Sequence, residues 1–140
     1  MKRIALIMIT VGLFTMVSCK QNESTREEVK SEATISLDLI GKKGEISFPE
    51  MSAITDYTSE KTLHWSTKAK DGTVNQGDEQ VSYKRLSEEL HFLNWIEKTG
   101  FTVSQIINTK TGEVKAFWSW TNESGKRESS FVDGTFTYVK

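Results

Sequence analysis

A chain of 140 residues with one proline, one cysteine and no long apolar segment beyond its N-terminus suits a single domain with a modest core. Hydrophobic residues make up 36% and charged residues 26%, the balance of a folded globular protein rather than a disordered one. A formal net charge of −1, without a basic stripe interleaved with aromatics, gives no electrostatic case for nucleic acid as a partner.

The first residues stand apart. Lys2 and Arg3 are followed by an uncharged apolar stretch over 4–17, then Ser18-Cys19, then the polar run "KQNESTREEVKSE". So short an apolar segment with these flanks predicts a secretory signal peptide over 1–18, not a spanning helix. Cys19 is the only cysteine, so no intramolecular disulfide can form. The motif "MVSC" resembles the lipobox of bacterial lipoproteins, although Met16 stands where that box usually carries leucine. The resemblance implies that Cys19 is acylated and becomes the mature N-terminus; the alternative is a free thiol behind a plain signal peptide. Residues 19–34 have no apolar period and read as the acylated cysteine and a flexible tether. A lipid anchor and tether place the domain in a bacterial cell envelope, on the outer membrane, working at the membrane surface.

From residue 35 to 140 the dominant period is two. Leu63, Trp65 and Thr67 alternate with Thr62, His64 and Ser66, and Val81, Tyr83 and Arg85 with Gln80, Ser82 and Lys84. Val114, Ala116, Trp118 and Trp120 do the same farther on, as do Phe136 and Tyr138. Breaks are expected at Asp71-Gly72, Gln76-Gly77, Thr99-Gly100, Thr111-Gly112, Ser124-Gly125 and Asp133-Gly134. The segment "RLSEEL" is too short for an isolated helix and reads as a strand end and turn. Hairpins in sequence without long crossovers predict an all-β fold: one antiparallel up-and-down β-barrel of about eight strands. Its interior receives the four tryptophans.

The stretch "LHFLNWIEKTG" carries the chemistry. A three-residue loop Lys98-Thr99-Gly100, with glycine in a left-handed bulge position, sets Glu97 opposite Phe101, Trp95 opposite Val103 and Leu93 opposite Gln105. A two-residue Thr-Gly turn would instead bring Thr102 and Ser104 beside Glu97. The bulged register gathers the apolar residues on the tryptophan side and aims Glu97 inward at the barrel mouth.

The run "DEQVSYKRLSEELHFLNWIEKTGFTVSQIINTKTGEVKAFWSW" with the later "FVDGTFTYV" resembles the MoaF-like domain family over roughly residues 40 to 140. That resemblance implies a lipocalin-like (calycin) barrel with a central cavity. The element "W-x-E-x-T-G" is also similar to the phenolic acid decarboxylases, of the same barrel type. There a glutamate works with an arginine and a pair of tyrosines. Only the glutamate carries over, onto Glu97; the arginine position falls on Val74 and the tyrosine positions on Ile46 and Phe48, so that decarboxylation is not expected.

Other chemistries have little to stand on. His64 and His91 have no carboxylates at ligand spacing, so no metal site is expected. No Gly-x-Ser-x-Gly elbow offers a serine nucleophile, and Gly72, Gly77, Gly100 and Gly112 read as turns rather than a phosphate loop. No cofactor is expected. Asn122-Glu123-Ser124 fits a glycosylation sequon but reads as turn chemistry. The reading that follows is a membrane-tethered module binding a small apolar or aromatic ligand, lined by Trp65, Tyr83, Trp95, Glu97, Phe101, Val103, Gln105, Trp118 and Tyr138. Acid/base catalysis at Glu97 is the enzymatic alternative, with enzyme activity the weaker expectation. A filled barrel whose outer Phe92, Ile96 and Phe117 meet a protein partner or a second copy, as a homodimer, is the other. A cavity of about 300 Å³ or more favours ligand binding.

Overall fold

The computed structural model describes residues 38–140; the expected signal peptide, Cys19 and the tether lie outside the described residues. Eight antiparallel strands follow one another: β1 (Lys43–Ser47), β2 (Met51–Asp56), β3 (Thr62–Ala69), β4 (Val74–Arg85), β5 (Leu90–Ile96), β6 (Thr102–Asn108), β7 (Glu113–Thr121) and β8 (Arg127–Tyr138). Each pairs with its neighbour in sequence, and β8 returns to β1, so the sheet closes into an up-and-down barrel. The described part is all-β, as the alternation predicts. "RLSEEL" ends β4 at Arg85 and forms the turn before β5.

Closure makes the two faces of every strand unlike. Inward residues such as Leu63, Val81, Leu93, Val103, Ile107, Val114 and Phe136 are buried, while their neighbours in sequence face water. Each fully buried side chain of this size contributes on the order of 1.5–3 kcal/mol over leaving it exposed. A one-residue slip would turn that whole set outward, which fixes the register.

The β5–β6 turn has the bulged geometry. Trp95 pairs with Val103 and Leu93 with Gln105. The Glu97 amide donates to Phe101 O at 2.8 Å, the Gly100 amide donates to Glu97 O at 2.8 Å, and Gly100 has φ of 82°. The Asn122 carboxamide oxygen accepts from the Ser124 and Lys126 amides, each at 3.0 Å, so this sequon does build the β7–β8 turn.

Two of the expected breaks are not breaks. Gly77 lies inside β4 and Gly134 inside β8, each in a twelve-residue strand. Both occupy inward positions, opposite Trp65 and Val114 respectively. A Cβ on Gly77 would meet the Trp65 indole at 3.1 Å, and one on Gly134 would meet the Phe48 ring at 2.8 Å. These glycines make room for aromatic rings inside a small barrel; they do not turn the chain.

The barrel has two different ends. One is plugged: Leu39 and Tyr57 are buried there beside Ile107, Val114 and Phe136. Arg85 and Asp38 clasp its rim at 2.8 Å, and the Tyr138 hydroxyl donates to Asp38 O at 3.0 Å. The other end, where the β1–β2, β3–β4, β5–β6 and β7–β8 turns gather, is open. There β4 keeps its pairing to β3 from Gln80 to Val74, but its pairing to β5 stops at Val81. The result is a notch in the wall between β4 and the end of β5.

Candidate functional site

The open end is built from residues of strands β1 to β7 and of the β1–β2 and β5–β6 turns. A cleft of about 570 Å³ is lined by Met51, Trp65, Thr67, Gly77, Glu79, Glu97 and Phe101, with Asn75, Gln76, Asp78, Lys98 and Thr99 at its edge. Below it the interior narrows to a recess of about 60 Å³, lined among others by Thr55, Trp65, Trp95, Glu97, Val103, Gln105 and Trp118. The barrel is thus filled through most of its depth and open at its mouth. The mouth volume lies in the range of small-molecule sites, whereas the recess holds only a few atoms.

Aromatic rings give the mouth its walls. Phe101 stacks on Trp120 with centroids 6.0 Å apart and leans on Trp118 at 6.1 Å. Trp118 in turn meets Phe48 edge-on at 5.0 Å. Arg127 fastens the long β7–β8 hairpin to this corner, donating to Ser119 Oγ at 2.6 Å and to Gly100 O at 3.3 Å.

Glu97 is the half-buried carboxylate at the boundary of cleft and recess. Its pKa is raised, chiefly because burial penalises the charged form and secondly because Glu79 faces it across the notch. The nearby Trp95 indole N–H opposes the shift, although it stands outside full hydrogen-bond geometry: Trp95 Nε1 has no hydrogen-bond partner among the described residues. The same holds of Trp65 Nε1 and Gln105 Nε2. Three N–H donors beside one carboxylate are thus unmatched in the upper half of the barrel.

Of the nine residues expected to line a pocket, seven gather here: Trp65, Trp95, Glu97, Phe101, Val103, Gln105 and Trp118. Tyr83 and Tyr138 do not. They face the plugged end, where Tyr83 Oη lies 2.9 Å from His91 Nδ1 and stacks on its ring. His91 is fully buried, and its Nε2 lies 3.4 Å from Thr109 Oγ1. Burial raises the pKa of both tyrosines. Alternation tells which face a residue occupies but not its height in the barrel.

Met51, Thr67 and Glu79 belong to the mouth and were not among the expected residues. Glu79 carries a legible signal: it shares the parity of Val81 and Tyr83, the inward face of β4. Phe92, Ile96 and Phe117 do lie on the outer face, where Phe117 meets the exposed Phe131 at 4.9 Å. Among the described residues no group of three or more His, Cys, Asp or Glu could hold a metal ion.

Residues 40–136 match the family model described as MoaF-like. No curated protein sequence matches. Among solved structures, the barrel is similar to a protein from Burkholderia vietnamiensis provisionally named a beta-lactamase. The TM-score is 0.60 at 18% identity, over 71% of this chain and 94% of that one. Likeness at that identity speaks to the barrel alone.

Proposed function

The chain belongs to the MoaF-like family, and from that premise we propose that it is a membrane-tethered binding module whose open mouth takes a small, partly aromatic ligand. The observation that carries this reading is the contrast inside one barrel. The interior is packed solid below, yet widens above to a cleft of about 570 Å³ walled by Trp65, Phe101 and Met51 with Glu97 at its floor. An acylated Cys19 and the stretch to residue 34 would hold this mouth at the envelope surface, on the outer membrane.

N-Phenyl-1-naphthylamine, an uncharged aromatic whose fluorescence rises on leaving water, tests the binding part. Saturable enhancement is expected with the protein, weakened at least about tenfold by Phe101→Ala, since losing an aromatic wall of the cleft removes one to several kcal/mol of contact. No enhancement, or enhancement that Phe101→Ala leaves intact, contradicts a ligand in the mouth. The tether is tested separately. Cys19→Ala should abolish incorporation of radiolabelled fatty acid; equal labelling of the variant contradicts the lipoprotein reading.

A second reading has one observation in its favour. Glu97, with its raised pKa and its place between cleft and recess, has the character of a general acid or base. Val74, Ile46 and Phe48 provide neither the guanidinium nor the phenols that a decarboxylase of this barrel type pairs with its glutamate. Acid/base turnover would therefore need a different partner set. Association of two copies through Phe117 and Phe131 is the remaining alternative, and sedimentation of the Phe131→Ser variant against wild type decides it.

A further inference from the structure

Gln105 is 3% exposed and Trp95 7%, and both line the narrow recess under the mouth. The amide nitrogen of Gln105 and the indole nitrogen of Trp95 are each closed off from water and have no hydrogen-bond partner among the described residues. Trp65 adds a third donor, a second indole N–H, at the level where recess and cleft meet. An unmatched buried donor carries its full desolvation penalty. Three around one recess, on inward positions of β3, β5 and β6, form a donor set for which the only acceptor nearby among the recess side chains with an ionisable oxygen is the Glu97 carboxylate.

We infer that the recess takes the uncharged carbonyl head of an aromatic ligand, of the carboxamide or ketone class, whose oxygen accepts from Gln105 Nε2–H and Trp95 Nε1–H. This deepens the binding reading above and rests on it. The ligand's aromatic body lies in the cleft against Met51, Trp65 and Phe101.

Size, polarity and charge each narrow the choice. A recess of about 60 Å³ has room for roughly two water-sized groups. That admits a carbonyl with one small substituent but not a ring. The unmatched groups are donors, so the head must present an acceptor; an ammonium would pair with Glu97 but leave those donors unmatched. An anionic head fails for the opposite reason. Glu97 borders the recess and Glu79 the cleft above it, and a carboxylate brought between them meets like charge where burial has already weakened solvation. Lys98 is the cation at this edge, but it sits exposed on the turn, where water screens it. A neutral oxygen acceptor satisfies the donors and offends neither carboxylate. A primary carboxamide also offers an N–H to Glu97.

Three probes with one aromatic body test this: naphthalene-2-carboxamide, naphthalene-2-carboxylate and 2-isopropylnaphthalene, which copies the amide's shape without its polarity. Each is titrated at pH 7 by displacement of N-phenyl-1-naphthylamine from the full chain. The carboxamide should bind about three- to tenfold more tightly than the hydrocarbon per hydrogen bond formed. The carboxylate should be the weakest of the three. Gln105→Leu should erase the carboxamide's advantage over the hydrocarbon. Because it removes an unmatched buried donor it should still fold, which a thermal melt checks. Trp95→Phe gives an independent second removal, and Glu97→Gln should bring the carboxylate closer to the carboxamide.

Equal affinity for carboxamide and hydrocarbon, or tightest binding by the carboxylate, overturns the inference while leaving a ligand in the mouth. A preference for carboxamide that survives both Gln105→Leu and Trp95→Phe overturns it as well. Failure of the naphthylamine itself to bind removes the broader reading and the inference with it.

Discussion

The two ends of the barrel are made from the same eight strands and the same alternation, yet they obey different rules. At the plugged end Leu39, Ile107 and Val114 are fully buried, and His91 is held between Tyr83 and Thr109. The Tyr57 hydroxyl, near Thr55, is the exception there, buried without a hydrogen-bond partner among the described residues and with its pKa raised by burial. At the open end the interior thins out, three N–H donors go unmatched, and two carboxylates face one another. Closing one end secures the fold and lets the other depart from the usual rules of a core. Departures of that kind concentrate where proteins bind or react.

Substitutions at the two ends should therefore separate stability from binding. The largest effect on stability is expected at the plugged end. Ile107→Ala should lower the unfolding free energy by about 2–5 kcal/mol, because the closed core cannot collapse onto the cavity. Denaturant titration checks the value, and the naphthylamine should still bind to the folded fraction. A loss below about 1 kcal/mol would mean the plugged end is looser than its burial implies.

Next come the glycines. Gly77→Val drives a branched side chain into the Trp65 indole, and overpacking of this kind costs about 1–3 kcal/mol. It should also distort the mouth and weaken binding, coupling the two properties at the one strand position that serves both. Gly100→Val meets no neighbour within 4 Å, so its cost comes from the positive φ alone, about 1–3 kcal/mol, and it should act through the direction of Glu97. Unfolding curves with parallel probe titrations distinguish the two. If Gly100→Val proves neutral, the turn is not bulged in solution.

These glycines also show how far the sequence could be read. Alternation identified the strands and their inner faces, since a closed barrel imposes the same inside-outside contrast on every strand. The turn "EKTG" fixed the direction of Glu97, because hairpin register follows loop length. Glycine, however, signals a turn and a close approach in the same letter. Gly77 and Gly134 could be separated from Gly72 and Gly112 only by knowing which aromatic ring lies across the barrel. Tyr83 and Tyr138 were placed in the pocket for a related reason. Parity gives the face of a residue, while its height depends on strand stagger, which local patterns do not encode. For Glu79, the mouth's second carboxylate, parity likewise gives the inward face of β4 but not the height.

The smallest expected effect on stability is at Glu97, and its sign is the informative part. The folded-state pKa is raised above the ordinary value, so the protonated form is the one the fold prefers. Its stabilising contribution is fully present below the unfolded pKa, near 4.5, and is lost as pH rises through the raised folded value. Glu97→Gln should therefore match wild type near pH 4 and be slightly the more stable at pH 7. Chemical unfolding at the two pH values checks this. A variant less stable than wild type at pH 7 would mean that Glu97 is held by hydrogen bonds as an anion.

The division of labour between the ends is tested most directly by the indole N–H resonances of the four tryptophans, followed by ¹H–¹⁵N NMR as N-phenyl-1-naphthylamine is added. Trp65, Trp95 and Trp118 should shift saturably and together, with the amides of Ile107 and Val114 at the plugged end unmoved. Shifts confined to the outer face around Phe117 and Phe131, or no saturable shift at any tryptophan, would contradict a binding site in the mouth.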